Sequence, residues 1–351
     1  MRREFSFSCT ALIVAAVLLG GCGGGQTAAD TAVSTTTREA RPEFAGKPSP
    51  TFPPQLHLSY DGQVTPANVA VLMAITKGFF SDVGLTVYPS SPVIPRRPVS
   101  YISAYTDDIA IAQEPQIALG KDHDASVVAV GSLVSEPTAA FIWLPKSGIG
   151  DISDLKGKTI AVPGIPYQEE MLESILESGG VNPDDVEVKT VGYRVLPALL
   201  HGQADAIFGG SWNIEGAALR ARGEKPVIKR VQEFGVPSYD EVMVITRADR
   251  AAREPWVIRK FMSALTRAVR AVKRNPALAS KLVQSGPHEF PLSKREIDAQ
   301  VRATLPLLSA SGHVDLDQAG KLMTWMHSEG MIQRQPSVSE LFTDKYLSGG
   351  G

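Results

Sequence analysis

Ser211, Trp212, Asn213 and Glu215 fall close together, directly after an apolar run at 204–208 that only Asp205 interrupts. Gly209-Gly210 separates the two groups and is expected to end the strand. A carboxylate accepts N–H donors, a carboxamide both donates and accepts, and an indole face stacks on a flat ring. Together these residue types suit a planar heterocycle with an exocyclic amine. In open parallel sheets ligands bind beyond the carboxyl ends of the strands, which is where the group lies. The same residues also read without a ligand, with Trp212 in the core and Asn213 and Glu215 as caps. A second polar segment, 234–241, contains Tyr239 and precedes another apolar strand. Arg194 is the one cation expected close to this site. A nitrate or sulfonate would need converging donors and cations, whereas a flat ring needs a stacking surface.

The elements that must position these residues alternate from Gln55 onward. Strands are expected at 56–60, 85–88, 107–112, 126–132 and 139–144, in a second unit at 159–162, 186–190, 204–208 and 226–230, and at 242–246, where the chain returns to the first unit. A helix is predicted from Pro66 to Lys77, stopped by Gly78, and another over 167–178 after the Pro163-Gly164 break. Beyond Arg247 the chain reads as helical, with an amphipathic stretch at 254–275 whose basic side is a solvated face, then helices at 293–308 and 317–329. Strands alternating with helices predict an α/β fold.

The N-terminus has a different character. Arg2 and Arg3 precede an apolar run at 11–19 that is too short to span a bilayer and ends in Leu19-Gly20-Gly21-Cys22. This resembles the bacterial lipobox, which implies a signal peptide over 1–21 and a lipid on Cys22. Residues 22–53 are rich in Gly, Ala, Thr, Ser and Pro and are expected to form a flexible tether, reaching roughly 30 Å.

Composition narrows the classes of function. Cys9 and Cys22 are the only two cysteines, so the exported body has neither disulfides nor a cysteine metal site. The chain is 43% hydrophobic with a net charge of -2, which suits an ordinary globular body and argues against a nucleic-acid surface. The six histidines are scattered, with no pair at metal spacing, and neither a Gly-x-Ser-x-Gly elbow nor a phosphate-binding Gly-rich loop occurs. No cofactor is expected.

The order of motifs resembles a known family. Asn68 to Leu85 with its Lys77-Gly78-Phe79-Phe80 turn, Asp108-Ile109-Ala110-Ile111-Ala112-Gln113-Glu114-Pro115, the segment around Lys158 with Pro163-Gly164, and Leu199 to Ala206 succeed one another behind the lipobox. This succession is similar to the substrate-binding lipoproteins of ABC importers in the nitrate, sulfonate and thiamine-pyrimidine-precursor group. Trp212 to Glu215 and the 235–241 segment look most like the pyrimidine-precursor branch. The resemblance implies a two-lobed periplasmic-binding-protein fold of type II, each lobe a mostly parallel sheet flanked by helices. The lobes are expected at 54–144 plus 246–351 and at 145–245, with crossings near Leu144 and Val244. It also implies a small-molecule ligand held by Asn68, Gln113, Glu114, Gly164, Tyr167, Tyr193, Trp212, Asn213, Glu215 and Tyr239. The expected partners are an ABC permease and its ATPase, for a monomer anchored at the extracytoplasmic face through Cys22. Riboflavin, a sulfonate or nitrate are alternative ligands. A pyrimidine-synthase-like enzyme shares the fold, but its cysteine-rich segment has no counterpart here.

Overall fold

The computed structural model describes residues 53–91, 98–286, 288 and 290–347; the expected signal peptide, Cys22 and nearly all of the expected tether lie outside them. Two five-stranded sheets organise the rest. The first contains β1 (Gln55–Ser59), β2 (Thr86–Ser90), β3 (Ile109–Ala112), β4 (Val127–Val134) and β10 (Val242–Arg247), in the order β2-β1-β3-β10-β4. The second contains β5 (Ala139–Trp143), β6 (Thr159–Val162), β7 (Glu187–Thr190), β8 (Ala206–Ser211) and β9 (Val227–Arg230), in the order β7-β6-β8-β5-β9. In each sheet four strands run one way and a single strand opposes them, β10 in the first and β5 in the second.

Sequence character decides which strands are central. β3 is an unbroken small and apolar run between β1 and β10, buried along its whole length because both faces of a central strand are covered by helices; β4, equally buried, ends the sheet, and isolated bridges to Phe342 and Leu308 cover it. β7 is Glu-Val-Lys-Thr, exposed throughout, and forms an edge. β2 forms the opposite kind of edge, ending in exposed Tyr88 and Pro89, where a missing N–H costs least.

The first sheet leads into the second between Val134 and Ala139, and the chain returns between Arg230 and Val242. Both passages lie earlier than the expected crossings near Leu144 and Val244. β5 belongs to the second sheet because it pairs with β8 and β9, and β10 belongs to the first because it pairs with β3 and β4. An apolar strand fits either sheet, so only long-range pairing assigns it.

Helices follow the sequence periodicity. The amphipathic stretch at 254–275 is the single helix Pro255–Arg274, and a further helix, Pro276–Ser285, follows it, since Pro276 cannot continue the first helix and Asn275 caps the second by accepting the Leu278 N–H at 3.0 Å. β8 continues through Gly209-Gly210 to Ser211 instead of stopping at the glycines. Gly209 sits at φ 76° where the β5–β8 register slips, and a side chain there would run into the Gln168 amide. None of the described helices is long and apolar enough to cross a membrane.

Candidate ligand-binding site

The carboxyl ends of β1, β3, β6 and β8 and the amino ends of the opposed strands β5 and β10 converge on a cavity of about 160 Å³ between the sheets. Asp61 and Gly62 enter it after β1, Gln113 after β3, and Pro163 and Ile165 after β6. Tyr193 reaches it from the turn after β7, and Gly209, Gly210, Ser211, Asn213 and Glu215 come from β8 and the turn behind it. The two passages between the sheets contribute Thr138 and Glu241, while His288, Phe290, Leu292 and Gln300 close the wall from the C-terminal region.

The wall is acidic. Asp61, Glu215 and Glu241 all line it, and among the described lining residues there is neither a lysine nor an arginine. Each carboxylate is held by neutral donors. Gln113 Nε2 donates to Asp61 at 2.6 Å, the Thr138 N–H to Glu241 at 2.6 Å, and the Ser211 N–H to Glu215 at 2.6 Å. Burial disfavours the charged form of each, pushing Asp61 up to about 6 and Glu241 up to about 7, with Glu215 raised as well. Arg194 is exposed and is not part of the wall.

Three lining carboxamides have their donor ends committed inward. Gln113 Nε2 donates to Asp61, Gln168 Nε2 to the Gly209 carbonyl at 3.4 Å, and Asn213 Nδ2 to Thr304 Oγ1 at 2.8 Å. Thr304 passes its own proton to the Gln300 carbonyl, so its oxygen must accept from Asn213. These partners fix each amide's orientation, and they leave Gln113 Oε1, Gln168 Oε1 and Asn213 Oδ1 buried without a hydrogen-bond donor. The site therefore offers acceptors and asks for donors.

Of the residues expected to hold ligand, Asn68, Gln113, Tyr193, Asn213 and Glu215 line the cavity. Asn68 ties its amide to its own turn, accepting from Thr65 N–H at 2.9 Å and donating to the Gln63 carbonyl at 3.0 Å, and also to the Asp61 carboxylate. The other five do not reach the wall. The Trp212 ring is turned away, its Nε1 donating to the Pro137 carbonyl at 3.3 Å while the Arg230 guanidinium covers its face at 4.0 Å. Tyr167 and Tyr239 are fully buried core rings, because the segments around them pack against both sheets. Glu114 is buried behind the wall, its Oε2 accepting the Asp240 N–H at 2.7 Å. Gly164 faces Thr190 at φ 83°, between Pro163 and Ile165, which do line the cavity.

Sequence reasoning overlooked Asp61, Gln168, Glu241, His288 and Phe290 as wall residues. Asp61 and Glu241 had a readable signal, since each directly flanks an apolar strand end. Phe290 and His288 had none, because their place depends on how the helical tail folds back. The His288 ring is tied by Nε2 to the Val283 carbonyl at 2.8 Å. Among the described residues no group of three or more His, Cys, Asp or Glu could hold a metal ion.

Polar contacts join the lobes around the cavity. Tyr193 donates its hydroxyl to the Asp61 carbonyl at 2.7 Å. On the outer side the helix Lys294–Thr304, anchored in the first core by Ile297 and Val301, meets the helix Glu215–Arg222 through the Arg222–Glu296 ion pair at 2.5 Å.

Comparison with known proteins agrees with this architecture. The chain is 27% identical over 288 residues to a Haemophilus influenzae protein named for thiamine biosynthesis, covering 82% of this chain and 90% of the relative. It is 26% identical to the formylaminopyrimidine-binding protein of Halalkalibacterium halodurans, covering 76% and 83%. A 4-amino-5-hydroxymethyl-2-methylpyrimidine phosphate synthase of Schizosaccharomyces pombe is 23% identical, covering 68% and 69%. In fold it superposes on the alkanesulfonate-binding protein SsuA of Xanthomonas axonopodis with a TM-score of 0.65 at 16% identity, covering 83% and 98%. That neighbour has the periplasmic-binding-protein fold, and the two lobes described above are its two lobes. The NMT1/THI5-like family model matches residues 65–279, more than half of the sequence, and the chain belongs to that family.

Proposed function

We propose that this chain is an extracytoplasmic solute-binding protein that captures a thiamine pyrimidine precursor, or a similar small aminopyrimidine, and delivers it to an ABC permease and its ATPase. The observation that supports this best is the acceptor-rich wall, which among its described residues has three carboxylates, three undonated amide oxygens and no lysine or arginine. An exocyclic amine and an N–H arm supply the donors such a wall lacks. A sulfonate or nitrate would bring negative charge to Asp61, Glu215 and Glu241 with no cation to meet it. Size separates the ring ligands. A cavity of roughly 150 Å³ holds one benzene ring, so the 160 Å³ here suits a single six-membered ring and is too small for a flavin. Tyr193 and Phe290 are the aromatic side chains available to stack on that ring.

The same wall argues for binding without catalysis. The named synthases make a phosphate ester, and a phosphate on the ligand would meet the carboxylates directly. The protein acts as a monomer held at the membrane by lipid on Cys22.

Calorimetry on residues 53–351 tests the reading. Formylaminopyrimidine should bind, and alkanesulfonates, nitrate and riboflavin should not; tight binding of an anion would overturn it. In cells, Cys22→Ala should release the protein from the membrane fraction, and retention of the variant would refute the anchor.

A further inference from the structure

Three buried carboxylates away from the cavity are paired with arginine, whereas Glu114 and Asp240, behind the wall, are held by the Asp240 N–H and the Ser132 hydroxyl. Asp108 and Glu254 both meet Arg250, and Glu296 meets Arg222. Asp61 and Glu241 lie at the cavity with uncharged donors as partners, amides for Asp61 and amides plus the Thr138 hydroxyl for Glu241. A buried carboxylate without a counter-charge costs far more than a neutral group, so a site that keeps two of them together is suited to a positive charge brought from outside. The acidic pair does not stand alone as a signal. Gln113, Gln168 and Asn213 are each more than nine-tenths buried, and each leaves its amide oxygen without a donor on the same wall.

Resting on the aminopyrimidine reading above, we propose that the site selects the cationic member of that class. The preferred ligand is an aminopyrimidine whose arm ends in a primary ammonium, with Asp61 and Glu241 as its counter-charges and the three amide oxygens accepting its remaining N–H donors. Glu215 adds to the negative potential of the wall but keeps its inward bond to the Ser211 N–H. Burial raises Asp61 and Glu241, which is the behaviour of carboxylates waiting for a partner; an ammonium beside them would restore their ionised form. The formyl group of formylaminopyrimidine blocks this charge by turning the amine into an amide, and a phosphate arm reverses it.

The test compares four probes with one ring: 4-amino-2-methylpyrimidine bearing at position 5 an aminomethyl, a formylaminomethyl, a hydroxymethyl or a hydroxymethyl-phosphate arm. Calorimetry on the wild-type protein at pH 7 should rank the aminomethyl probe first, at least about tenfold tighter than the hydroxymethyl probe, with the phosphate weakest. In Asp61→Asn and Glu241→Gln the advantage of the aminomethyl arm should shrink to within about threefold, while the neutral arms change little. A formylaminomethyl or hydroxymethyl probe that binds as tightly as the amine would overturn the charge selection yet leave the aminopyrimidine reading intact. Failure of all four probes would overturn both. The ranking needs only the wild-type protein, so it decides the matter even if a variant fails to fold.

Discussion

Trp212 shows how a residue of the right type can sit in the right place along the chain and still face the wrong way. Its indole spends its N–H on Pro137 and one face on Arg230, and the ring does not line the cavity. Tyr193, also expected at the ligand, does reach it, crossing from a short turn to the Asp61 carbonyl and lining the cavity. The two positions should therefore respond differently. Trp212→Ala should lower stability by up to about 3 kcal/mol through lost packing and change affinity for formylaminopyrimidine little. Tyr193→Phe should leave stability nearly unchanged and weaken binding by about 0.5–1.5 kcal/mol, roughly two- to tenfold. Denaturant melts and calorimetry on both variants check this, and a large affinity loss confined to Trp212→Ala would contradict the geometry.

At the level of elements, the two passages between the sheets are fastened by carboxyl groups. Ser132 donates to Asp240, Thr138 N–H to Glu241, and Asp240 N–H to Glu114. Burial first, and neighbouring carboxylates after it, push Glu114 up to about 8, Glu241 to about 7 and Asp240 to about 6. The folded chain thus holds protons that the unfolded chain releases above its ordinary range near 4 to 4.5. Where the native state binds more protons, stability falls as pH rises. These groups contribute their full stabilisation below about pH 4, and it is lost progressively as pH climbs through 6, 7 and 8. Glu114→Gln removes one of these protons from the balance. Between pH 6 and 8.5 its unfolding free energy should fall less steeply than that of the ligand-free wild type, by at least about 1 kcal/mol across the range. Identical slopes in urea titrations would show that Glu114 is ionised in the folded protein.

For the whole molecule the question is how closure depends on ligand. A ligand drives the lobes together only by as much as it favours the closed form, so contacts between lobes outside the cavity set the baseline it works against. The Arg222–Glu296 pair is such a contact, with Glu296 nearly buried and Arg222 partly exposed. Arg222→Ala should open the ligand-free protein, raising its radius of gyration in X-ray scattering. It should also weaken formylaminopyrimidine binding by about 0.2–1 kcal/mol, the usual range for a partly exposed ion pair. The carboxylate wall is untouched by this change, so the preference among ring arms should persist. Unaltered scattering and affinity would mean that the pair follows closure without supporting it.

Local information determined the alternating strands and helices, since short apolar runs and amphipathic periods are written in neighbouring residues. Nine of the strands overlap the expected segments closely because each is bounded by a turn signal, such as Asp61-Gly62 after β1 or Pro163-Gly164 after β6. The motif succession from Asn68 to Ala206 was enough to point to the family, and the ends of β1, β3, β6 and β8 to the region of the site. The return of the 242–246 strand to the first sheet was expected from the sequence, but only tertiary structure decided that β5 belongs to the second, because its pairing partners lie far away in sequence. It also decided which side chains face the cavity. A strand end or a short turn sets where a residue stands, but the direction of its side chain follows from what packs around it: Arg230 and Pro137 hold Trp212 outward, while Gln113 and Thr138 hold Asp61 and Glu241 at the wall.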